Sequence, residues 1–111
     1  METISYDDFL RVDMRVGTVV RVAEFPKARH PAYKLWIDFG PLGERKSSAR
    51  ITRLYRPQDL VGHMVVAVVN FPPRQIADFM SEVLVLGVVE DDEAVVLLQP
   101  GREATPGRRI L

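Results

Sequence analysis

The chain has 111 residues, 15 basic and 15 acidic side chains, and a hydrophobic content of 47%. This size and balance fit one small soluble domain, residues 1–111, and leave too little chain for a core together with a deep catalytic cavity. The absence of cysteine excludes a disulfide framework, a cysteine zinc site and thiol catalysis.

The N-terminal part of the chain predicts a short helix followed by a long strand. Ser5 with Asp8 three residues later forms a capping-box pattern, which predicts a helix start. The acidic residues here are unlike the basic start of a signal peptide, so we expect a cytoplasmic protein. Valine is frequent over Met14–Phe25, which predicts a strand that is bent or bulged at Gly17 and ended by Pro26.

Two alternating segments, Tyr33–Phe39 and Glu44–Thr52, flank a Gly-Pro-Leu-Gly turn and predict a β-hairpin. Side chains two residues apart on a strand share a face. The polar face of this hairpin is predicted to carry Lys34, Trp36, Lys46, Ser48 and Arg50. The opposite face is predicted to carry Leu35, Ile37, Phe39, Ser47, Ala49 and Ile51.

The rest of the chain predicts a helical turn and several short strands. The turn is expected at residues 56–62, and the strands at Met64–Val69, Glu82–Val89, Ala94–Leu98 and Arg108–Leu111. The run Met64–Val69 is far shorter than the roughly 20 residues that span a bilayer, so no membrane insertion is expected. Five or six strands with a helical turn between the third and fourth predict an all-β OB-fold, a small Greek-key barrel. Since both faces of the valine-rich strands are apolar, we expect the outer face to meet the N-terminal helix or a second subunit.

The zero net charge conceals an uneven distribution along the chain. Residues 27–74 contain nine basic and three acidic residues, a charge of +6, whereas residues 75–103 contain one basic and seven acidic residues, a charge of −6. If the fold places residues 27–74 on one face, that face binds anions; if the segments interleave in the barrel, the charges mix.

No motif in the chain predicts catalysis, a metal or a cofactor. His30 and His63 lie 33 positions apart and have no acidic residue at ligand spacing. No glycine-rich phosphate loop joins a strand to a helix. We therefore expect a binding protein and not an enzyme.

The polar face of the hairpin mixes an aromatic side chain with cations, which suits single-stranded or looped nucleic acid. Bases stack on aromatic rings, and phosphates meet lysine and arginine. Arg74 extends the basic set and follows two prolines that stiffen its backbone. Two structural alternatives stay open: Trp36 packs as a rim residue under Arg50 or Lys34, and the cations form a solvated face that prevents edge-to-edge aggregation.

A second candidate surface is apolar. Phe25, Phe71 and Phe79 all lie at predicted strand ends or in loops, and the first two are directly followed by prolines. Exposed aromatic side chains in one group favour a peptide-binding site. Alternatively, the three rings close the ends of the barrel.

Several blocks of the sequence resemble the tRNA-binding OB-domain family. The opening, Tyr6–Gly17, is similar to the family pattern D-F-x-x-V-D-[LM]-R-V-G, and residues 25–35, 55–62 and 70–76 resemble later blocks in the same order. The likeness covers nearly the whole chain. Within the family, Phe79–Gly87 resembles the F-x-S-E-V-L-V-L-G block of the CsaA-type secretion chaperones.

The resemblance implies a homodimeric OB-fold protein that holds unfolded or precursor polypeptides, with peptide contacts at Phe25, Phe71 and Phe79. The alternative that it implies is tRNA binding, with Trp36 or Ser81 at a base and cations on the phosphates. Those cations are Lys27, Arg29, Lys34, Lys46, Arg50 and Arg74. Stand-alone tRNA-binding proteins usually read S-x-G-M where this chain has Ser81-Glu82-Val83-Leu84. Only the serine carries over, and Glu82 adds negative charge near a bound phosphate.

Overall fold

Helix α1, Tyr6–Leu10, opens the computed structural model, which describes all 111 residues. The amide of Asp8 donates a hydrogen bond to Ser5 Oγ, and the amide of Ser5 donates to an Asp8 carboxylate oxygen, each at 3.1 Å. This reciprocal pair confirms the predicted capping box. No α1 residue is fully buried, so the helix lies on the outside of the molecule.

Nine strands and a second short helix follow. In chain order they are β1 (Met14–Glu24), β2 (Tyr33–Asp38), β3 (Glu44–Ala49), α2 (Pro57–Leu60), β4 (Met64–Val68), β5 (Arg74–Ile76), β6 (Phe79–Ser81), β7 (Leu84–Val85), β8 (Gly87–Val89) and β9 (Val95–Leu97). A 3-10 turn, Gly40–Leu42, connects β2 to β3. The helical turn predicted between the third and fourth strands is therefore present as α2.

Five antiparallel strands form the main sheet in the order β3-β2-β1-β4-β7. The strands β5 and β6 pair as one separate hairpin, and β8 and β9 pair as another. The main sheet curls into a nearly closed barrel, which confirms the predicted OB-fold. The barrel interior is filled by apolar side chains, of which Leu35, Ile37 and Phe39 are fully buried.

The pairing of β2 with β3 confirms the predicted faces of the hairpin. Lys34 lies opposite Ser48, and Trp36 lies opposite Lys46, so these four side chains share one face. Ser47 lies on the other face and is buried, where its hydroxyl donates to the Val83 carbonyl at 2.8 Å. This hydrogen bond satisfies the hydroxyl, which would otherwise be an unpaired polar group in the core.

The predicted bulge lies at a different residue. The register between β1 and β2 shifts between Val19 and Arg21, not at Gly17. Gly17 has another role, since a Cβ there would lie 2.6 Å from Ile37 Cγ2. The glycine is needed for close packing of β1 against the core, and the extra residue in the ladder is Val20.

Two other predicted elements differ from the structure, and one hairpin is additional. The strand predicted at Glu82–Val89 is broken into β7 and β8, because the Leu86 amide donates to Val66 while the following residues pair with β9. The hairpin of β5 and β6 was not predicted. The final strand predicted at Arg108–Leu111 is reduced to one isolated pair between Arg15 and Arg109.

No helix in the structure has both the length and the apolar character that crossing a membrane requires. No three side chains of the His, Asp and Glu type lie together as a metal site.

Candidate functional site

A groove of about 790 Å³ lies beside the barrel, between the edge of β3 and the β8–β9 hairpin. We call it the basic groove. Eleven of its 21 lining residues are hydrophobic, which gives it a mixed apolar and polar character. Its walls come from the loop after β1, the end of β3, the chain around β5, and the segment from β6 to β7. The groove lies where the chain switches from the main sheet to the smaller hairpins.

Three arginines line the basic groove, one from each of three walls. Arg29 lies in the loop after β1, Arg50 follows β3, and Arg74 begins β5. All three are exposed, and none takes part in the four ion pairs of the chain. The structure therefore brings together three of the predicted cations as unpaired charges, which are available to an anionic group of a ligand.

Phe71 supplies an exposed aromatic ring to the same groove, with 51% of the residue accessible. Its position is fixed through the preceding residue. The Asn70 side chain accepts a hydrogen bond from the Asp13 amide at 3.0 Å and donates to the Arg11 carbonyl at 2.8 Å. The loop that carries Phe71 is thus tied to the segment between α1 and β1.

Phe25 and Phe79 do not join Phe71, and the expectation of three exposed rings is wrong for these two. Phe25 is only 4% exposed and Phe79 only 6%, and the two rings meet edge to face with centroids 5.5 Å apart. A position at a strand end or in a loop does not settle whether a ring is buried. Both rings belong to a small second core with Ala32, so only Phe71 of the three is exposed for direct contact.

Trp36 is half-buried and not freely exposed. Its ring packs edge to face on Phe79 at 5.9 Å, and the guanidinium of Arg21 lies 4.2 Å from the ring centroid. The expected cover was Arg50 or Lys34, but the structure places Arg21 there. Strict alternation along β1 would put Arg21 on the same side as the buried Val19. The bulge reverses the phase, which explains why Arg21 was missed.

Lys34 and Lys46 cover the remaining aromatic rings. The Lys34 ammonium lies 4.7 Å from the Phe25 centroid and 5.3 Å from that of Phe79, and the Lys46 ammonium lies 5.2 Å from the Phe79 centroid. Cations at such distances are attracted by the ring faces. We call Arg21, Lys34 and Lys46 with their three aromatic partners the cation–aromatic face. A base could stack there only after displacing a cation.

Lys27 differs from the other predicted cations because it already has a partner. Its ammonium lies 3.0 Å from the Asp78 carboxylate in the turn between β5 and β6. The hydrogen bond from Lys27 lowers the pKa of Asp78. Both side chains are exposed, so the pair adds little to stability, but it partly offsets the charge of Lys27.

Ser81 is half-buried and is held against β3. The amide of Ser48 donates to Ser81 Oγ at 3.0 Å. At the next residue, the amide of Glu82 donates to the Lys46 carbonyl at 2.8 Å, and the Lys46 amide donates to Glu82 Oε1 at 3.0 Å. Together with the bond from Ser47 to Val83, these contacts close the barrel between β3 and the segment 81–83.

Residues 14–109 match the model of the putative tRNA binding domain family. The chain belongs to this family. The match contains every residue that the sequence analysis assigned to an RNA or a peptide site. It also extends across the main sheet and both smaller hairpins.

Two solved structures are similar to this chain over almost its full length. The chaperone CsaA from Bacillus anthracis has 53% identity and a TM-score of 0.95, and the match covers 99% of this chain and 100% of that one. The CsaA chaperone from Picrophilus torridus has 47% identity and a TM-score of 0.92, covering 98% and 100%. These neighbours confirm that the chain resembles the CsaA-type chaperones.

The chain is also similar to part of a much longer enzyme. It is 36% identical to the methionine–tRNA ligase of Porphyromonas gingivalis over 98% of this chain, but it spans only 16% of the ligase. The likeness therefore concerns one portion of that relative.

Proposed function

We propose that the protein is a non-enzymatic, cytoplasmic, homodimeric binding protein that holds unfolded or precursor polypeptides during export. The observation that carries the proposal is the basic groove, in which exposed Phe71 lies with three unpaired arginines. The similarity to two structures described as CsaA chaperones supports it. In this proposal the 111 residues act as one OB domain.

The lining of the basic groove suits an extended polypeptide. Apolar side chains of a client would contact the exposed side chains of Phe71, Leu84 and Val89, while acidic side chains would meet the arginines. The groove volume of about 790 Å³ fits a few side chains and not a folded partner. Such a groove would bind short exposed segments of many clients with modest affinity.

Replacement of Phe71 tests this proposal. We expect Phe71→Ser to weaken binding of an unfolded presecretory peptide by about tenfold, because a large aromatic contact is lost. The matched control is Leu54→Ser, since Leu54 has the same exposed fraction, 51%, but lies outside the groove. Peptide affinity is measured by fluorescence anisotropy, and chaperone activity by the suppression of client aggregation. Equal activity of the two variants would contradict the proposed site.

The alternative function is tRNA binding, and the cation–aromatic face is the observation that favours it. Arg21, Lys34 and Lys46 lie on three adjacent strands, so they could follow a phosphate backbone across the sheet. Because the rings beneath are covered, phosphate contacts would supply most of the affinity. Binding of tRNA should then fall with salt, with a slope near −0.7 per neutralised phosphate for single strands. A flat salt response would exclude this alternative.

A further inference from the structure

Glu82 is the only acidic side chain among the residues that line the basic groove. It takes part in none of the ion pairs of the chain. Oε1 accepts the hydrogen bond from the Lys46 amide, whereas Oε2 has no hydrogen-bond partner within the protein. One half of this carboxylate is therefore anchored, and the other half is free to meet a ligand.

The backbone of Glu82 prevents the carboxylate from swinging out of the groove. Its amide is bonded to the Lys46 carbonyl, and the flanking residues Ser81 and Val83 are bonded to Ser48 and Ser47. Glu82 is also half-buried. A negative charge is thus fixed at a defined place between β3 and β7, in a groove that otherwise carries only positive charge.

The fixed carboxylate distinguishes between the two kinds of polymer that a basic groove could bind. The backbone of a nucleic acid carries a negative charge at every phosphate, so a phosphate beside Glu82 would be repelled. A polypeptide carries N–H donors and lysine or arginine side chains, which can pair with a carboxylate. Three arginines and one carboxylate therefore complement a polymer of mixed charge better than a polyanion.

We propose that Glu82 determines the specificity of the basic groove: its free oxygen binds a cationic side chain of the client polypeptide and repels the phosphates of a nucleic acid. This inference rests on the proposed polypeptide-binding function and names the client class, which is an apolar segment that carries both a basic and an acidic residue. A segment with acidic residues alone would leave the carboxylate unpaired.

The test compares Glu82→Gln with Glu44→Gln. The first variant retains an oxygen that accepts from the Lys46 amide and removes the charge. The second removes an equal charge at the exposed start of β3, outside the groove. The ligands are bulk tRNA and two apolar peptides with one aspartate, which differ only by lysine or norleucine at one position. We expect Glu82→Gln to bind the lysine peptide about three- to tenfold more weakly, the norleucine peptide unchanged, and tRNA about three- to tenfold more tightly at low salt.

A Glu82→Gln variant that behaves like Glu44→Gln, or that weakens both peptides equally, would overturn the proposal. If the parent protein binds neither peptide, the proposed polypeptide function itself fails. The tRNA measurement then decides alone: a gain specific to Glu82→Gln supports repulsion by this carboxylate, and no gain overturns it. Circular dichroism and thermal unfolding confirm that both variants are folded.

Discussion

Gly17 lies in β1 at a place where the core leaves no room for a side chain. A Cβ there would lie 2.6 Å from Ile37 Cγ2 and 2.8 Å from two ring atoms of Phe39. We expect Gly17→Ala to lower the free energy of unfolding by about 1–3 kcal/mol, as overpacking of a core does. The control is Gly101→Ala, where a Cβ meets nothing within 4 Å. Urea denaturation measures both, and equal midpoints would show that β1 can move away from the core.

Asp13 forms an ion pair that connects the two ends of the chain. Its carboxylate lies 2.6 Å from Arg15 Nε and 3.7 Å from Arg109 Nε. Arg15 also donates to the Gly107 carbonyl at 3.1 Å. The hydrogen bond from Arg15 is the main reason why the pKa of Asp13 is lowered. The segment before β1 and the C-terminal tail are therefore joined through one charge.

The lowered pKa makes this contribution to stability dependent on pH. Because the folded pKa lies below the unfolded value of about 3.9, the contribution is fully present above that value and is lost as the pH falls through the folded pKa. We expect the free energy of unfolding to fall less steeply in acid for Asp13→Asn than for the parent protein. The control is the same substitution at exposed Asp91, which has no ion pair. Identical pH profiles for Asp13→Asn and the parent would contradict the assignment.

The β5–β6 hairpin positions Arg74 in the groove and buries Phe79, yet its turn is strained. Ile76 pairs with Phe79, so Ala77 and Asp78 form a two-residue loop, and Ala77 has a φ of 53°. Alanine is disfavoured in this left-handed region, whereas glycine enters it freely. We expect Ala77→Gly to raise the free energy of unfolding by about 0.5 kcal/mol. This is the net gain once the cost of the conformational entropy that glycine adds to the unfolded chain is subtracted.

A matched alanine outside the left-handed region separates turn strain from the general effect of glycine. Ala94 has a φ of −70°, so Ala94→Gly should lower stability. Chemical denaturation of the two variants gives the comparison. If both substitutions destabilise the protein by similar amounts, the Ala77 turn carries no strain.

The sequence predicted well those elements in which polar and apolar residues alternate, because the alternation shows which side chains face the core. The β2–β3 hairpin alternates polar and apolar residues, so its faces follow directly. Glu82–Val89 is apolar at nearly every position, so the sequence does not show which side chains face the core. The change from the main sheet to the β8–β9 hairpin at Leu86 is therefore not visible in the sequence. The strands β5 and β6 have three residues each, too few for alternation to show. In the candidate site, alternation along β1 predicts the wrong side for Arg21, because the bulge at Val20 reverses the direction of its side chain.

At the scale of the whole molecule, the charges separate only in part, because Glu82 lines the basic groove and Asp78 pairs with Lys27. The basic groove collects Arg29, Arg50 and Arg74, whereas the acidic turn at residues 90–93 is exposed at the tip of β8–β9. A chain with zero net charge thus has a local field that can steer anionic groups toward one groove. The neutral total limits attraction at long range, which fits a client of mixed charge better than a long polyanion.

The outer face of the β8–β9 hairpin is apolar and uncovered, and we assign it to the proposed homodimer. Val88 lies opposite Val96, and their exposed fractions are 48% and 40%. Leu98 continues the same row with 39%.

In a two-fold dimer each residue of such a patch occurs twice in the interface, so a pair of charges there is strongly unfavourable. We expect the double variant Val88→Asp, Val96→Asp to sediment as a 12.6 kDa monomer and the parent protein at twice that mass at micromolar concentration. Leu54→Asp, an equally exposed leucine far from this hairpin in sequence, should stay dimeric. A parent protein that sediments as a monomer would exclude the homodimer, and a double variant that remains dimeric would place the interface on another face.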